Sequence, residues 1–435
     1  MINVLWIAYQ PLPIIENDIN MEEKNATGGW LQGMSDEICK HDDINLSYCF
    51  SYPKIIEGNV GGLSYYSMFP VKDIKDKCQH DYKSADFERF KYVLEKCNPD
   101  IIQIFGTEKM FNRQFVYMAR DLGLIDKTIV WIQGLTSFCS NCYFDGLTIK
   151  QIRRRTTWES FRKSNIEGIA NILRINGEGE HDVIRLLKNV FTRTEWDKAC
   201  CKSINKQIKA YVCNETLRPS FYEERKWNIE LVEEHSIFVS QCNTPIKGFH
   251  MVLKALPSIL QEFPDCVVYT TGPNLLQKPS GFLDQIRESS YSRILREEII
   301  KNNLSEHVVF TGKLNEREMR DRYLRTHVFV SASNIENSPN SVGEALILGL
   351  PVVASDVGGV GSMVSHGSEG FLYPFNEYAL MAEYICKIFR SKDLALKLSR
   401  QSMLKGNYIY DRDNNYNTLL RCYTEMMDGR INGKV

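Results

Sequence analysis

The sequence predicts an α/β protein made of two doubly wound, Rossmann-like domains, each with a mostly parallel sheet, followed by C-terminal helices. Three observations support this fold class. The chain has 435 residues, which is too long for a single hydrophobic core. Short apolar segments alternate with amphipathic segments in both halves, the pattern of βαβ units. A stretch rich in turn and charged residues, 214–234, separates the halves and is interpreted as an interdomain linker.

The first half alternates between apolar strands and helical patterns. Its predicted strands are Asn3–Tyr9, Ile101–Phe105 and Thr128–Ile132. A glycine pair, Gly28-Gly29, follows the first strand and precedes a helical pattern that extends to Cys39. We therefore expect one Rossmann-like domain over residues 1–213.

The second half shows the same alternation more regularly. Its predicted strands are Ser236–Ser240, Cys266–Thr271, His307–Thr311, Val328–Ser333 and Pro351–Ser355. The helical patterns between them include Lys247–Glu262, Glu316–Arg325 and Val342–Leu348. We expect a second domain over residues 235–405 and a helical tail over 406–435 that packs back on the first domain.

Composition excludes several classes of protein. Lys and Arg total 53 and Asp and Glu 54, so no excess of positive charge favours nucleic acid as a partner. No apolar run is long enough for a transmembrane helix, and the first ten residues are typical of a strand rather than of a signal peptide. Thirteen cysteines without a paired framework are typical of free thiols, so we expect a cytoplasmic protein. Histidines and cysteines show no metal-site spacing, and we expect neither metal nor cofactor.

Small and polar residues follow every predicted strand of the second half. They are Gln241, Lys247-Gly248, Gly272-Pro273, Gly312-Lys313-Leu314, Glu336–Ser341 and Asp356–Gly359. Ligands of open α/β sheets bind outside the carboxyl ends of the strands. Lys247 is predicted in the first turn of a helix, where the macrodipole disfavours a cation unless an anion is bound there. A phosphorylated ligand explains it, and a solvated surface lysine is the alternative.

Glu336 and Glu344 flank a Pro-containing loop and a predicted helix N-terminus. Free backbone N–H groups at such a terminus suit a phosphate, and the two carboxylates suit sugar hydroxyls. Two alternatives remain open. Glu344 also completes a capping box, S-x-x-E, with Ser341. For Glu336, the alternative is an ordinary exposed loop carboxylate.

The pair Glu336 and Glu344 forms E-x7-E and is followed by Gly349–Gly359, and Pro245–Gly248 fits P-x-K-G. Together these segments resemble the donor-site signature of retaining glycosyltransferases of family 4, which have the GT-B fold, and this chain looks like a bacterial polysaccharide-type member. The resemblance implies two domains facing a cleft, with the acceptor bound by the first domain, 1–213, and the nucleotide-sugar donor mostly by the second, 235–405. It also implies metal-independent, retaining hexosyl transfer from a UDP- or GDP-sugar to a glycan or lipid-linked saccharide acceptor, in surface polysaccharide biosynthesis.

The resemblance also implies roles for individual residues. Glu344 would bind the ribose, Glu336 the transferred sugar, and Lys247 the diphosphate. Other residues that it implies in donor binding are Gly28, Gly29, Gln241, Gly272, Leu314, Asn337, Ser338, Pro339, Asn340 and Ser341. The implied catalytic residues are Glu336, Lys247 and Gln133.

Two positions depart from the family pattern. Cys242, with Gln241 beside it, stands near the place of an Arg that would contact phosphate, and Gln133 stands where many members have a His. These departures leave a non-catalytic GT-B binding or scaffold subunit as an alternative. A nucleotide-sugar epimerase on the same fold is another, and it would need no acceptor.

Two further motifs lie outside the donor-site signature. Asp411-Arg412-Asp413 spells the DxD metal motif of another glycosyltransferase fold, but it directly precedes a helical pattern and is interpreted as a helix cap. The segment Arg153–Lys163 combines basic residues with Trp158 and Phe161. It is either a solvated helix face or a peripheral contact with an anionic membrane, on the cytoplasmic face of the inner membrane.

Overall fold

The computed structural model describes residues 1–21, 29–72, 80–277, 281 and 287–432. Its strands form two sheets. The strands of the first sheet are β1 (Ile2–Ala8), β2 (Ile44–Ser51), β3 (Glu57–Val60), β4 (Leu63–Met68), β5 (Ile101–Phe105), β6 (Thr128–Trp131), β7 (Asn189–Thr192) and β8 (Lys209–Val212). Those of the second are β9 (Glu233–Val239), β10 (Val267–Thr270), β11 (Val308–Phe310), β12 (Thr326–Ser331), β13 (Val352–Ser355) and β14 (Gly370–Tyr373).

Helices connect these strands and follow the last one. They are α1 (Pro13–Asp18), α2 (Gly29–Ile38), α3 (Ser84–Cys97), α4 (Met110–Asp121), α5 (Thr136–Cys142), α6 (Ile149–Ile152), α7 (Thr157–Arg162), α8 (Ile166–Leu186), α9 (Glu195–Ile204), α10 (Phe249–Glu262), α11 (Ser290–Lys301), α12 (Glu316–Leu324), α13 (Asn340–Leu348), α14 (Val360–Met363), α15 (Tyr378–Phe389), α16 (Lys392–Ile409) and α17 (Arg412–Asn432). Within the described part of the chain, no helix has the length and hydrophobicity needed to cross a membrane.

The first sheet has the order β3-β4-β2-β1-β5-β6-β7-β8 and is parallel except for β3, which pairs antiparallel with β4. Side chains of β1 alternate between two core layers, with Trp6 in one layer and Leu5 and Ile7 in the other. Helix α17 covers the Trp6 face, where the indole Nε1 donates to the hydroxyl of Tyr423 at 3.0 Å. Burial on both faces explains why the central strands β1, β5 and β6 are nearly continuous apolar runs.

The second sheet is entirely parallel, with the order β11-β10-β9-β12-β13-β14. This is the Rossmann order, and the direction of winding reverses between β9 and β12. Phe238 of β9 pairs with Phe329 of β12, so the loops that follow these two strands leave the sheet side by side. The predicted fold class, two doubly wound α/β domains with C-terminal helices, is confirmed.

The chain divides into two compact units, neither of which is continuous in sequence. Unit 1 comprises Met1–Phe138, Leu173–Arg218 and Tyr410–Val435, and unit 2 comprises Cys139–Ile172 and Pro219–Ile409. The predicted first domain, 1–213, differs from unit 1 because it includes residues 139–172. Long-range packing rather than local pattern causes the difference, since Glu159 Oε1 accepts hydrogen bonds from the backbone N and the Oγ of Ser290.

Candidate active site

Lys247 and Glu336 meet at the carboxyl ends of β9 and β12. Lys247 ends a 3-10 turn, Pro245–Lys247, and its Nζ lies 2.6 Å from Glu336 Oε1. The same carboxylate oxygen accepts a hydrogen bond from Ser333 Oγ at 2.7 Å. The side chains are 32 % and 14 % exposed, respectively, so the pair is partly open to solvent. An ammonium group and a carboxylate are thus held at the switch point where open α/β sheets bind ligands.

Gly248 allows the loop after β9 to lie close to the end of β12. Its φ is +67°, and a Cβ at this position would lie 1.7 Å from the carbonyl oxygen of Ala332. The backbone N of Asn334 donates to the carbonyl of Ile246 at 2.8 Å. Only glycine fits this contact. Because Gly248 has left-handed backbone geometry, α10 begins at Phe249, and the prediction that Lys247 lies in the first helical turn is wrong.

Helix α13 begins in the loop that carries Glu336. Pro339 is its N-cap residue and makes no side-chain cap hydrogen bond. Ser341 lies inside the helix, so the alternative interpretation of Ser341 and Glu344 as a capping box is wrong. Glu344 is almost fully buried on the first turns of the helix. The helix therefore starts without a side-chain cap at its N-terminal end, where backbone N–H groups suit an anion.

The end of β13 supports the Glu336 loop from the other side. Gly359 N donates to the carbonyl of Glu336 at 2.9 Å, and Ser355 Oγ donates to the carbonyl of Ser333 at 2.6 Å. These two hydrogen bonds hold the backbone of the loop that carries Glu336. They give the segment Asp356–Gly359 a structural role beside Glu336.

The other predicted donor-site residues of unit 2 occupy loops at the same end of the sheet. Gln241 is exposed after β9, and Leu314 is partly buried before α12. Gly272 follows β10, and its N donates to the carbonyl of Gly312 at 3.1 Å. Asn337, Ser338 and Pro339 are buried, whereas Asn340 and Ser341 are partly exposed at the start of α13.

Cys242 is fully buried, and its thiol donates to the carbonyl of Thr271 at 3.2 Å. Burial raises the pKa of the thiol to about 11, so it is neutral at physiological pH. The place of the family's Arg is therefore filled by an uncharged side chain that points into unit 2.

Gln133 follows β6 in unit 1. Its Nε2 donates to Glu215 Oε1 at 2.6 Å, and Arg193 Nη1 donates to Glu215 Oε2 at 2.6 Å. Arg193 and Glu215 are both buried, so the ion pair fixes the orientation of the Gln133 amide. Of the predicted glycine pair, Gly29 is the first residue of α2, and Gly28 lies outside the described residues.

Glu108 is a candidate that the sequence reasoning missed. It follows β5 by three residues, and its Oε1 accepts a hydrogen bond from Gly134 N at 2.6 Å. Removal from water, and secondarily the negative charge of Glu180, raise the pKa of its carboxyl group to about 7, whereas Lys109 opposes the shift. The sequence signal for Glu108 is its position shortly after the predicted strand Ile101–Phe105. The same signal pointed to Lys247 and Glu336 in the second half of the chain.

The DxD motif caps a helix, and the basic segment Arg153–Lys163 is partly neutralised by an ion pair. Asp411 Oδ1 accepts a hydrogen bond from Asn414 N at 2.7 Å at the start of α17, so its role as a helix cap is confirmed. Arg154 makes two hydrogen bonds to Glu297, at 2.5 and 2.6 Å. Phe161, in contrast, is 84 % exposed on α7.

Comparison with known proteins gives one family match and several related proteins. Residues 222–404 match the family of glycosyl transferases group 1. A Bacillus subtilis (strain 168) protein named "Putative glycosyltransferase YtcC" is 25 % identical over 180 residues, 41 % of this chain and 42 % of that protein. The phosphatidyl-myo-inositol mannosyltransferase of Mycobacterium leprae (strain TN) is 26 % identical over 157 residues, 36 % of this chain and 37 % of that protein. These matches span about two fifths of each relative's length.

Solved structures resemble the whole chain. The sucrose-phosphate synthase of Thermosynechococcus elongatus has a TM-score of 0.68 at 13 % identity, covering 98 % of this chain and 100 % of that one. Anabaena Alr3699/HepE, solved in complex with UDP and glucose, has a TM-score of 0.63 at 13 % identity with the same coverage. At this identity the likeness shows the fold. The chain therefore has the GT-B fold, and its residues 222–404 are similar to the glycosyl transferases group 1 family.

Proposed function

We propose that this protein is a retaining, metal-independent glycosyltransferase that moves a hexosyl group from a UDP- or GDP-sugar to a glycan or lipid-linked saccharide, in surface polysaccharide biosynthesis. The observation that carries the proposal is the juxtaposition of Lys247 Nζ and Glu336 Oε1 beside the N-terminus of α13. The matched domain contains all three features. UDP is bound by one structural neighbour, and a lipid-type acceptor is part of one relative's name.

In this mechanism, the bond between the sugar C1 and the β-phosphate oxygen breaks, and its electron pair stays on the phosphate. Lys247 and the first N–H groups of α13 stabilise the charge as it develops. The acceptor oxygen forms its bond to C1 on the same face of the sugar. The acceptor proton passes to the leaving diphosphate, so no protein base is required.

Donor binding would change the partner of Lys247. The diphosphate replaces Glu336 as the anion beside Nζ, which leaves Glu336 Oε1 to accept a hydrogen bond from a sugar hydroxyl. Glu344 would bind the ribose, and Gln133 would contact substrate from the first domain. The other residues proposed to surround the donor are Gly28, Gly29, Gln241, Gly272, Leu314 and Asn337–Ser341.

A thermal-shift screen of UDP, GDP, UDP-glucose, UDP-N-acetylglucosamine and GDP-mannose tests the proposal. A ligand at 100 times its Kd stabilises a protein by about 2.7 kcal/mol. The ligand that raises the melting temperature should then be hydrolysed slowly by wild-type protein and not by Lys247→Ala. Lys397→Ala, which removes an exposed lysine on α16, is the matched control. A chain that neither binds nor hydrolyses any of these compounds is not this enzyme.

The buried, neutral Cys242 favours one alternative, a non-catalytic subunit that binds a nucleotide sugar. Such a subunit lacks one of the cations expected at the diphosphate, so it would bind without turnover. The alternative predicts a thermal shift with the same nucleotides and no release of nucleoside diphosphate. An epimerase would instead convert the bound nucleotide sugar into a stereoisomer without any acceptor.

The segment Arg153–Lys163 is proposed to contact an anionic membrane. Exposed Ile149 and Phe161 stand on α6 and α7 beside basic side chains, and such a surface suits the interface of a bilayer. Arg154 contributes less than the sequence implied, because Glu297 already neutralises it.

A further inference from the structure

The segment Cys142–Gly146 comes from the first half of the sequence, yet it belongs to unit 2. Two side chains of α10 bind its main chain. Lys254 Nζ donates to the carbonyl of Gly146 at 2.6 Å, and His250 Nε2 lies 2.9 Å from the carbonyl of Asp145. The segment is therefore held on α10 through its backbone carbonyls.

The contact with His250 leaves little room for movement. Its side chain is almost fully buried, and burial lowers its pKa to about 4, so the imidazole is neutral at physiological pH. Nε2 then carries the hydrogen for the carbonyl of Asp145, and Nδ1 accepts a hydrogen bond from the hydroxyl of Tyr291 at 3.0 Å. Gly146 has a φ of +80°, and a Cβ there would lie 2.7 Å from His250 Nε2. Only glycine fits this place in the segment.

Asn334 joins the same segment to the loops of the donor site. It lies two residues before Glu336 in the loop after β12 and is 2 % exposed. Its Nδ2 donates to the carbonyl of Cys142 at 2.8 Å. Its backbone N donates to the carbonyl of Ile246, the residue before Lys247, also at 2.8 Å. The side chain of Asn334 thus ties the loop that carries Glu336 to a segment that is itself tied to α10.

This connection matters once a donor is bound. Without a donor, the Lys247–Glu336 ion pair joins the two loops directly. Donor binding as proposed replaces that ion pair, whereas the hydrogen bonds of Cys142–Gly146 do not involve the donor. Buried hydrogen bonds are costly to break, so they keep the two loops at a fixed separation.

We propose that Cys142–Gly146 is a positioning element of the donor site, which keeps Lys247 and Glu336 at the spacing that a diphosphosugar requires after their ion pair has opened. Asn334 is the positioning residue through which it acts on the Glu336 loop. This inference rests on the proposed function, since it names what orients two groups of that donor site.

The test moves the segment without changing a residue proposed to contact the donor. Gly146→Ala displaces it from His250, and Gly367→Ala is the matched control, because Gly367 also has a positive φ but no atom lies within 4 Å of the added Cβ. Lys254→Met is milder, since it removes one hydrogen bond and keeps the stem of the side chain. Its control is Ser402→Ala, which removes a buried hydrogen bond to a backbone carbonyl before β14.

Titration calorimetry measures Kd for the nucleotide sugar that the thermal-shift screen identifies, and for UMP or GMP, whichever has the same base. The monophosphate lacks the β-phosphate and the sugar, the two parts proposed to contact Lys247 and Glu336. Hydrolysis of the nucleotide sugar gives kcat. Melting temperatures report whether each variant is folded.

We expect Gly146→Ala to raise Kd for the nucleotide sugar and to lower kcat, each by about tenfold, because small displacements of reacting groups are costly. Kd for the monophosphate should not change. Asn334→Ala should behave alike, Lys254→Met should show the same pattern with smaller changes, and neither control should show it. If Gly146→Ala does not fold, Asn334→Ala and Lys254→Met decide.

Folded variants with wild-type Kd and kcat for the nucleotide sugar would overturn the inference and leave the proposed function intact. Variants that weaken the monophosphate as much as the nucleotide sugar would also overturn it, since that result indicates a general loss of structure. Wild-type protein that binds no nucleotide sugar would instead count against the proposed function.

Discussion

Lys247 Nζ lies 2.6 Å from Glu336 Oε1, although the two residues are 89 positions apart in the chain. Each belongs to a loop that leaves the second sheet at the switch point between β9 and β12. The ion pair joins the group proposed to bind the diphosphate to the group proposed to bind the sugar. A donor bound as proposed would therefore replace this ion pair, with its diphosphate beside Lys247 and its sugar beside Glu336.

Lys247→Ala should lower turnover by about a hundredfold or more, because it removes the cation that is proposed to stabilise the leaving diphosphate. The free energy of unfolding should change by less than about 1 kcal/mol, since a partly exposed ion pair contributes little to stability. Lys397→Ala should change neither quantity. Near-wild-type kcat in a folded Lys247→Ala protein would contradict the proposed role.

Gly248→Ala should destabilise unit 2 by about 2 kcal/mol or more, because left-handed backbone geometry and a collision with Ala332 act together. Gly312→Ala is the matched control. Gly312 also has a positive φ, but no atom lies within 4 Å of the added Cβ, so about 1 kcal/mol is expected there. If urea unfolding gave the two variants the same loss in the free energy of unfolding, the contact with Ala332 would make no measurable contribution.

The stability of unit 1 should fall as the pH rises through neutrality. The pKa of Glu108 is about 7 in the folded chain and 4.5 for an ordinary Glu, so the folded state binds the proton more tightly. The protonated Glu108 carboxyl group therefore stabilises the fold fully below the unfolded pKa near 4.5. This stabilisation is lost as the pH rises through about 7. Urea unfolding at about pH 5 and pH 8 should therefore show a smaller decrease for Glu108→Gln than for wild type or for the control Glu88→Gln, which removes an exposed carboxylate on α3.

Chelation with EDTA should leave turnover unchanged, because Lys247 and the N-terminus of α13 are proposed to supply the positive charge that a metal supplies in other transferases. The measurement is nucleoside diphosphate release before and after dialysis against the chelator. Activity that disappears and returns with Mg²⁺ or Mn²⁺ would show that the diphosphate needs a cation beyond those of the chain.

The protein should co-sediment with vesicles containing phosphatidylglycerol in low salt and much less with pure phosphatidylcholine vesicles. Phe161→Ser should weaken the binding, because an exposed aromatic ring loses its place in the bilayer interface. Binding that does not depend on lipid charge or on Phe161 would leave Arg153–Lys163 as a solvated face.

Much of the fold could be predicted because buried parallel strands are continuous apolar runs. Ile101–Phe105 was predicted with the bounds that the structure gives it. β2 and β4 were not predicted, because Ser and Tyr residues interrupt their apolar pattern and their burial depends on the neighbouring strand β1. The sequence also could not predict that residues 139–172 belong to unit 2, because their packing depends on residues distant in the chain, such as Ser290.

The site was predictable to the extent that it follows strand ends. Lys247 and Glu336 were found by this rule, and the structure brings them into contact. The bond from Ser333 and the Glu215–Arg193 pair behind Gln133 were not foreseen, because rotamers and long-range packing determine them. The start of α13 was misjudged for a local reason: Pro339, not Ser341, is its N-cap residue.

The interleaved units have a consequence for how the chain can be divided. Unit 2 needs residues 139–172, which are synthesised before the rest of it, and unit 1 needs α17, which is synthesised last. Trp6 in the first strand finds its hydroxyl partner only when Tyr423 has left the ribosome. A fragment cut near residue 213 would thus lack one helix of its own unit and carry an unpaired piece of the other. Unit 1 therefore cannot complete its fold before α17 is made, whereas every segment of unit 2 has been made once the chain reaches Ile409.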